Sequence, residues 1–383
     1  MEKYRILYLD HAPFIGGGQL ALTRHLKNLN KAEFLPYVAS NAVNQDWVNS
    51  FSKISEFTAL SVPKLKVLSL LSVVRFIKIC FDLFFLIKKV DPHLTVINSE
   101  RMLYPSIIVS RLLGVKAVLW LRDFEYNRLI FKIIQPLLSG IICVSNSIRR
   151  FYGGHENEKF RVIYVGTEIV SSSGFNEEVL RFREKIKIYP QTTLIGFAGR
   201  LVNWKGVDVL LKACSLLEKD SELLKVDWKV VIAGTGAGQF GDTELNLKDY
   251  ATSNLRSGRV IFLGYYHDMK SFNQSIDILV HPSISPEPFA TVVVDAMAAG
   301  KIVVASNIGG TPEIIENGKN GFLFSPGDNQ ALYNLLKDII LNKYPSDRLS
   351  NLRKSAIETI ALGFTEERVT RASEEYFKEI IKL

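Results

Sequence analysis

Short apolar runs rich in β-branched residues recur along the chain and alternate with longer stretches of helical periodicity. The runs that predict strands are residues 5–10, 94–98, 117–122, 141–145, 161–165, 193–199, 228–234, 259–264, 277–282 and 301–306. Strands that alternate with helices are typical of parallel sheets covered by helices. The pattern therefore predicts an α/β fold with two doubly wound, Rossmann-like domains.

The rhythm of strands breaks at residues 166–190, a polar stretch that begins with Gly and Ser, as expected for a linker. We predict an N-terminal domain over residues 1–168 and a C-terminal domain over residues 187–362. A chain of 383 residues exceeds the size at which one core usually keeps growing, which also favours two domains. The tail, residues 346–383, shows no strand pattern and predicts two helices joined near Gly363.

Positive charge is concentrated in the first half of the chain. Residues 1–165 hold 22 Lys and Arg against 12 Asp and Glu, whereas the remainder holds 25 against 27. A basic half favours an anionic partner, such as a phosphorylated substrate or an anionic membrane surface. No basic tract interleaved with aromatic residues occurs, so nucleic acid is not an expected partner.

The most apolar long stretch is residues 64–89. Arg75, Lys78 and Asp82 interrupt it, so it falls short of the roughly 20 apolar residues that cross a bilayer. It predicts either a buried helix with basic ends or a segment that docks at an anionic membrane surface. The start of the chain lacks the pattern of a secretory signal, and we expect a cytoplasmic protein, peripheral at the membrane if the segment docks.

Loops that follow predicted strands carry candidate ligand-binding residues, because ligands of open α/β sheets bind beyond the carboxyl ends of the strands. After the first strand, the glycines 16–18 precede a helix and favour an anion, although their spacing is not that of a P-loop or a dinucleotide fingerprint. In "GRLVNWKG", Arg200 and Lys205 are two cations suited to a diphosphate. In "AGTGAGQ", a turn that begins at Gly234 allows a nucleotide to approach closely.

The stretch "SPEPFATVVVDAMAAG" places two carboxylates around a predicted helix N-terminus. Glu287 precedes that helix, whereas Asp295 lies in its second turn, and a buried carboxylate is costly without partners. Hydroxyl groups of a sugar and of a ribose would supply such partners, while the free N–H groups of the helix N-terminus would face a phosphate. The alternative is a helix-terminal charge with an incidental surface aspartate.

The succession "GGGQ", "GRLVNWKG", "VIAGTG", "HPSISPEPFATVVVDAMAAGKIVVAS" and "GGTPEIIENGKNGFLFSPGD" resembles family 4 of the nucleotide-sugar-dependent glycosyltransferases, which have the GT-B fold. The resemblance covers nearly the whole chain and is specific over residues 194–328. It implies two Rossmann-like domains that face a central cleft, with a helix at residues 363–383 returning to the N-terminal domain. It also implies retaining transfer of a hexose-type sugar from a UDP- or GDP-sugar without a metal, and no Asp-x-Asp motif occurs in the chain.

The resemblance assigns roles to individual positions. The cations that match Arg200 and Lys205 hold the donor diphosphate, and the glutamate that matches Glu287 contacts the transferred sugar. The acid that matches Asp295 holds the ribose. The other donor-binding residues that it implies are Gly17, Gly18, Gly234, Phe289, Ala290 and Thr291.

Three departures from the family pattern matter. Asp295 stands where glutamate is usual, and Val165 replaces the asparagine of a domain-closing turn. Arg122 precedes Asp123 in "LRDFEY", where the family often has His-Asp. We assign Arg122 and Asp123 to the acceptor side, without a histidine general base.

The implied activity is metal-independent, retaining glycosyl transfer to a glycan or lipid-linked acceptor in the biosynthesis of cell-surface polysaccharide or lipopolysaccharide. No cofactor besides the donor substrate is expected. Two alternatives stay open. A nucleotide-sugar epimerase of the same fold would convert the donor without any acceptor, and a degenerate family member would act as a non-catalytic scaffold.

Overall fold

The computed structural model describes residues 3–11, 16–41, 45–63, 69–154, 157–169, 177–236, 241–345 and 347–383. Three sequence predictions fall partly outside the described residues: the start of the docking segment with Lys64 and Lys66, part of the predicted linker, and the end of the glycine turn at Gly238. The chain divides into an N-terminal unit, Met1–Gly166 with Glu366–Leu383, and a C-terminal unit, Thr167–Thr365.

The N-terminal unit is built on a seven-stranded parallel sheet. Its strands are β1 (Tyr4–Leu9), β2 (Phe34–Ser40), β3 (Glu56–Ala59), β4 (Leu94–Ile97), β5 (Lys116–Leu121), β6 (Gly140–Cys143) and β7 (Phe160–Val162). They pair in the order β3-β2-β1-β4-β5-β6-β7. The intervening helices are α1 (Gly17–Asn28), α2 (Gln45–Ser52), α3 (Leu70–Val90), α4 (Glu100–Leu112), α5 (Arg128–Ile134) and α6 (Asn146–Phe151).

The C-terminal unit is built on a six-stranded parallel sheet. Its strands are β8 (Thr193–Ala198), β9 (Trp228–Ala233), β10 (Val260–Gly264), β11 (Ile278–His281), β12 (Ile302–Ser306) and β13 (Phe322–Phe324), in the order β10-β9-β8-β11-β12-β13. Its helices are α7 (Glu177–Lys185), α8 (Val207–Lys219), α9 (Gly241–Asn254), α10 (Met269–Ser275), α11 (Thr291–Ala298), α12 (Asn329–Ile340) and α13 (Arg348–Gly363). The last helix, α14 (Glu366–Lys382), belongs to the N-terminal unit, where it packs on α1.

The predicted fold class is confirmed, since both sheets are parallel and helices connect their strands. The central strands are almost entirely buried, which is why their apolar runs were visible in the sequence. Each predicted strand is present, and the tail forms the two predicted helices α13 and α14. Helix α7 forms within the stretch predicted as a linker, and it packs on α10 with Val179 and Phe182 buried.

The order of strands reverses at one place in each sheet, between β1 and β4 in one and between β8 and β11 in the other. The loops that leave the carboxyl ends of such a strand pair diverge to opposite sides of the sheet. A crevice is therefore expected beyond β1 and β4, and another beyond β8 and β11. Candidate residues of both units lie in the segments that leave these strands: Gly17 and Gly18 after β1, Arg200 and Lys205 after β8, and Glu287 after β11.

Candidate functional site

The C-terminal unit brings Lys205 and Glu287 together at the reversal of strand order. Lys205 ends a single 3-10 turn, Asn203–Lys205, that follows β8, and Glu287 lies in the loop between β11 and α11. The Nζ atom of Lys205 is 2.5 Å from Oε2 of Glu287, and the side chains are only 13% and 9% exposed. These two residues therefore form a buried ion pair between the loops that follow the two switch-point strands.

The carboxylate of Glu287 has further partners that follow β11. The Nε2 atom of His281, the last residue of that strand, is 3.0 Å from Oε1, and the Ser283 hydroxyl donates to the same oxygen. Burial alone would raise the pKa of Glu287, but the charges of His281 and Lys205 and their hydrogen bonds hold it well below its usual range. Glu287 is therefore an ionised carboxylate with partners on both oxygens.

The loop after β12 packs directly on the backbone of Glu287. Gly309 has a φ of +65°, and a Cβ atom added there would lie 2.3 Å from the carbonyl oxygen of Glu287 and 2.5 Å from its nitrogen. The N–H of Gly310 donates to that same oxygen, at 2.9 Å. Only glycine fits this combination of backbone angle and close approach, so the contact with Gly309 helps to fix the backbone of Glu287.

Arg200 and Lys205 both lie near the ring of Trp204. The guanidinium carbon of Arg200 is 5.8 Å from the centre of the indole ring, and Nζ of Lys205 is 4.7 Å from it. The N–H of Ile284 donates to the Trp204 carbonyl at 2.9 Å, which ties this cationic loop to the loop after β11. Arg200 is exposed, and its side chain makes no hydrogen bond or ion pair within the described residues. It is the cation that a ligand reaches without displacing a partner.

Helix α11 begins at the predicted place, with Ala290 as its N-cap and Thr291 as its first residue. The buried ring of Phe289 stacks on Phe364, with 6.1 Å between centroids. The first N–H groups of a helix have no partner within the helix and carry a partial positive charge. The start of α11 therefore adds positive potential next to Glu287.

Asp295 lies in the second turn of α11, where its Oδ1 accepts a hydrogen bond of 2.5 Å from the hydroxyl of Thr167. Thr167, which stands in the same "VGTE" turn as Val165, is not among the residues predicted from the sequence. This hydrogen bond orients the carboxylate that the family resemblance assigns to the ribose.

Gly234 lies where the loops after β8 and β9 touch. Its φ is +150°, and an added Cβ would come within 1.8 Å of the Gly199 carbonyl oxygen. The two loops are also joined by a hydrogen bond of 2.9 Å from the N–H of Leu201 to the carbonyl of Thr235. Gly234 thus fixes the direction in which Arg200 and its loop leave the sheet.

In the N-terminal unit, the glycine loop is linked to the ends of three neighbouring strands. The side-chain oxygen of Gln19 accepts from the N–H of Gly16 at 3.1 Å, and its nitrogen donates to the carboxylate of Asp10 at 3.2 and 3.3 Å. The Asn98 amide also donates to Asp10, and Arg122 Nε donates to Asn98 at 2.9 Å. Asp10, Asn98 and Arg122 directly follow β1, β4 and β5. This hydrogen-bond network therefore lies at the reversal of strand order in the N-terminal sheet.

Arg122 lies beneath the glycine loop. Its guanidinium is 4.3 Å from the ring centre of Trp120, and its Cδ would be 3.4 Å from a Cβ atom on Gly18. Burial lowers the pKa of Arg122 to about 10, although the charges of Asp10 and Asp123 oppose this shift. Its Nη2 is buried and, within the described residues, without a hydrogen-bond partner. Arg122, which the sequence predicts together with Asp123 for the acceptor side, belongs in the structure to the hydrogen-bond network under the glycine loop.

The candidate residues thus fall into two groups. Gly17, Gly18, Arg122 and Asp123 belong to the N-terminal unit, and the other candidates belong to the C-terminal unit. The residues that sequence reasoning missed are Asp10, Gln19, Asn98, Thr167, Trp204, His281, Ser283 and Gly309. Several of them end a strand or follow one directly, so the positional rule that selected Arg200 also points to Asp10, Asn98 and His281.

The lowered pKa of Glu287 makes a prediction for acid stability. In the unfolded chain this carboxyl group titrates near 4.5, whereas in the folded protein it stays ionised at lower pH. Below about pH 4.5 the unfolded state binds the additional proton, so the stability that ionised Glu287 contributes is lost as the pH falls further. We expect the urea midpoint of Glu287→Gln to fall less than that of wild type between about pH 6 and about pH 3. Parallel pH profiles would contradict the assigned ion pair.

Comparisons with known proteins find a family match within the C-terminal unit. Residues 179–359, all within the C-terminal unit, match the family described as "Glycosyl transferases group 1". A glycosyltransferase of Methanocaldococcus jannaschii, itself uncharacterized, is 32% identical over 203 residues, which are 50% of this chain and 48% of that protein. The chain spans about half the length of the curated relatives that it matches.

Solved structures match the chain over nearly its whole length. The complex of HepE from Anabaena with UDP has a TM-score of 0.82 and 22% identity, and covers 98% of this chain and 100% of that one. A glycosyltransferase from Rickettsia africae has a TM-score of 0.84 and 21% identity, with complete coverage of both chains. At these identities the likeness establishes the GT-B fold, and the family match makes residues 179–359 similar to the group 1 glycosyltransferases.

Proposed function

We propose that this chain, whose residues 179–359 match the group 1 glycosyltransferases, transfers a sugar from a nucleotide-diphosphate donor with retention of configuration and without a metal. The observation that carries the proposal is the buried Lys205–Glu287 pair, with Arg200 and the start of α11 beside it, at the strand reversal of the C-terminal sheet. The donor that we propose is a UDP-sugar, because the similar HepE structures contain UDP or UDP-glucose.

The arrangement supports a mainly electrostatic mechanism. The leaving diphosphate gains negative charge as its bond to the sugar breaks, and Arg200, Lys205 and the N–H groups at the start of α11 supply positive potential in fixed positions. The family resemblance also assigns Gly17 and Gly18, at the start of α1, to donor binding. Donors held in place before the reaction stabilise such a charge without reorganisation at the moment of reaction. Glu287 would accept hydrogen bonds from the sugar, and Asp295 from the ribose.

The reaction that we propose has no covalent enzyme intermediate. The acceptor oxygen forms a bond to the anomeric carbon on the face from which the diphosphate departs, as the bond between that carbon and the phosphate oxygen breaks. The proton of the acceptor hydroxyl passes to the departing phosphate oxygen. Both carboxylates near the site are held by partners, Glu287 by Lys205 and Asp295 by Thr167, which favours binding roles for them over nucleophilic attack.

The acceptor that we propose is a glycan or a lipid-linked sugar in the biosynthesis of cell-surface polysaccharide or lipopolysaccharide. The excess of Lys and Arg in residues 1–165 supports an acceptor with phosphate groups or one held at an anionic surface. With such an acceptor, the protein would act in the cytoplasm, peripherally at the membrane. The same site in an epimerase would consume the nucleotide sugar with no acceptor present, so turnover of donor alone separates the two activities.

Thermal unfolding in the presence of nucleotides tests the donor. We expect UDP at about 100 times its dissociation constant to stabilise the protein by roughly 2.7 kcal/mol, which raises the melting temperature by several degrees. GDP and ADP should have smaller effects. Arg200→Ala should abolish the UDP shift, because it removes the exposed cation of the site. Lys225→Ala should keep the UDP shift. It removes an exposed cation that precedes β9, at the amino end of that strand and therefore away from the ligand-binding loops. A folded protein without a shift for any nucleotide would overturn the proposed donor site.

A further inference from the structure

Apolar side chains are exposed on one region of the N-terminal unit far more than elsewhere. Of the 24 large apolar side chains that are exposed among the described residues, 14 lie between Leu70 and Leu137. Those segments are α3, α4, α5 and the turn that follows α5. Exposed apolar patches of this kind mark interaction sites in folded proteins.

Helix α3 is apolar on both of its faces. Its inner face buries Ile79, Leu83 and Ile87 against the unit. A surface helix normally carries polar residues on its outer face. On α3 the outer face instead carries a stripe with the spacing of helical turns: Leu70, Val74, Ile77, Phe81 and Phe85, each between 56% and 82% exposed. The core of the unit does not use this second stripe.

The next two helices continue the apolar surface. Helix α4 packs on α3 and exposes Leu112 and two further apolar side chains at intervals of four residues. Helix α5 exposes Leu129 and Ile133 at 76% and 74%. The Nη1 atom of Arg111 on α4 donates at 3.4 Å to the carbonyl of Leu137, just beyond α5. The crossovers from β3 through β6 all run in one direction across the sheet, so the right-handed rule puts α3, α4 and α5 on one face.

The same three helices carry a strong positive charge. Together they contain eight Lys and Arg and two Asp and Glu. Two copies of the chain that met through this face would bring these cations together, which disfavours a symmetric dimer as the occupant. An anionic lipid bilayer complements both features, because it takes up apolar side chains at its interface and attracts basic ones.

The dimensions of the helices favour a surface contact. Helix α3 has 21 residues, but five of them are charged. Within the described part of the chain, no helix combines the length and the apolarity that a membrane crossing requires. An apolar stripe of bulky side chains flanked by Lys and Arg is the arrangement of helices that lie in the interface plane.

We propose that the outer face of α3, α4 and α5 docks on an anionic lipid bilayer, with Phe81 and Phe85 entering the interfacial region and the basic side chains contacting lipid headgroups. Docking itself is independent of sugar transfer. Its consequence for the acceptor, which would then be presented at a membrane surface, rests on the proposed function. The sequence indicates one candidate segment for docking, residues 64–89, whereas the structure indicates a surface formed by α3, α4 and α5.

Sedimentation with vesicles tests this surface. We expect the full-length protein to bind vesicles of phosphatidylglycerol and phosphatidylcholine at least about tenfold more strongly than vesicles of phosphatidylcholine alone. The double variant Phe81→Ser, Phe85→Ser should lose at least about tenfold of that binding, because it removes two aromatic side chains from the interface. The double variant Leu129→Ser, Ile133→Ser on α5 should lose vesicle binding to a similar extent. Lys88→Gln, Lys89→Gln should reduce the preference for anionic vesicles.

The control is Leu362→Ser, which removes an apolar side chain of similar exposure, 72%, from α13 of the C-terminal unit and should bind as wild type does. Unchanged melting temperatures would show that the variants fold, as expected for side chains that are largely exposed. No binding to either vesicle, equal binding to both, or full binding by both apolar double variants would overturn the docking surface. A dimer in solution that these variants dissociate would assign the face to a second copy instead.

The UDP thermal shift of the same preparations separates this inference from the proposed function. Vesicle binding without a UDP shift would leave docking supported and overturn the donor site. A UDP shift without vesicle binding would support the donor site and overturn the docking surface. The apolar double variants should keep the wild-type UDP shift, because none of their substitutions lies in the C-terminal unit.

Discussion

Replacement of Lys205 by methionine lowers the turnover number for sugar transfer by at least about 100-fold, if Lys205 stabilises the leaving diphosphate. Removing one fixed electrostatic donor of this kind commonly costs about 2.7–4 kcal/mol of transition-state stabilisation, which corresponds to roughly 10²–10³ in rate. Methionine keeps most of the length of the lysine side chain, so its packing against Trp204 changes little. The measurement is turnover with saturating donor and acceptor.

The same substitution has a second expected effect, on stability, because it leaves Glu287 buried without its cation. Breaking a buried ion pair by removing one partner typically costs about 3–5 kcal/mol. His281 and Ser283 remain bonded to the carboxylate, so we expect a loss toward the lower end of that range. This loss should appear as a fall in the melting temperature of about 5–15 °C.

A double variant separates the two effects. Lys205→Met combined with Glu287→Gln removes the uncompensated charge and should recover most of the lost stability, while the enzyme stays inactive. The matched control is Lys212→Met, whose lysine forms an ion pair with Asp208 across one turn of α8 with both side chains nearly half exposed. Exposed pairs contribute at most about 1 kcal/mol, so this variant should keep both activity and stability. Wild-type turnover by folded Lys205→Met would refute the diphosphate role.

The fold could be predicted largely because the central strands are buried on both faces and so appear as continuous apolar runs. The strands that escaped prediction lack this signal for identifiable reasons. Pro36 interrupts β2, and proline argues against a strand inside a sheet. Strand β3 lies at the edge of the sheet and is largely exposed, while β13 has only three residues. In these places, neighbouring strands rather than local sequence decide the structure.

The positions of the site residues could be predicted better than their partners. The loops that leave the carboxyl ends of the strands lie at the ligand-binding edge in any open parallel sheet, which sufficed to select Arg200 and Glu287. Lys205 and Glu287 are 82 residues apart in the chain. Their ion pair depends on how their two loops fold against each other, which the local sequence does not show. Likewise, nothing local indicates that Arg122 would reach Asn98 beneath the glycine loop. Such pairings are properties of packing and appear only in three dimensions.

Replacement of Glu287 by glutamine should separate sugar transfer from nucleotide binding. Glutamine keeps the shape of the side chain but removes the charge that accepts hydrogen bonds from sugar hydroxyls. Hydrogen bonds to charged groups contribute about 1.5–3 kcal/mol each, so we expect turnover to fall by roughly 10- to 100-fold or more. Lys205 would simultaneously lose the carboxylate that neutralises it in the absence of donor. The site then becomes more positive, and the dissociation constant of UDP should stay the same or decrease.

The opposite pattern is expected of Asp295→Asn. Asp295 lies on α11, the helix that follows the loop of Glu287, so this variant serves as the matched control. Its carboxylate is assigned to the ribose, which UDP and the UDP-sugar share, so its loss should weaken UDP binding by roughly tenfold. Turnover at saturating donor should fall less than in Glu287→Gln. Calorimetric titration with UDP and initial-rate kinetics give both quantities for each variant. Equal losses of UDP affinity and turnover in Glu287→Gln would place Glu287 in general support of the loop, because a residue that contacts the transferred sugar has no contact to lose with UDP alone.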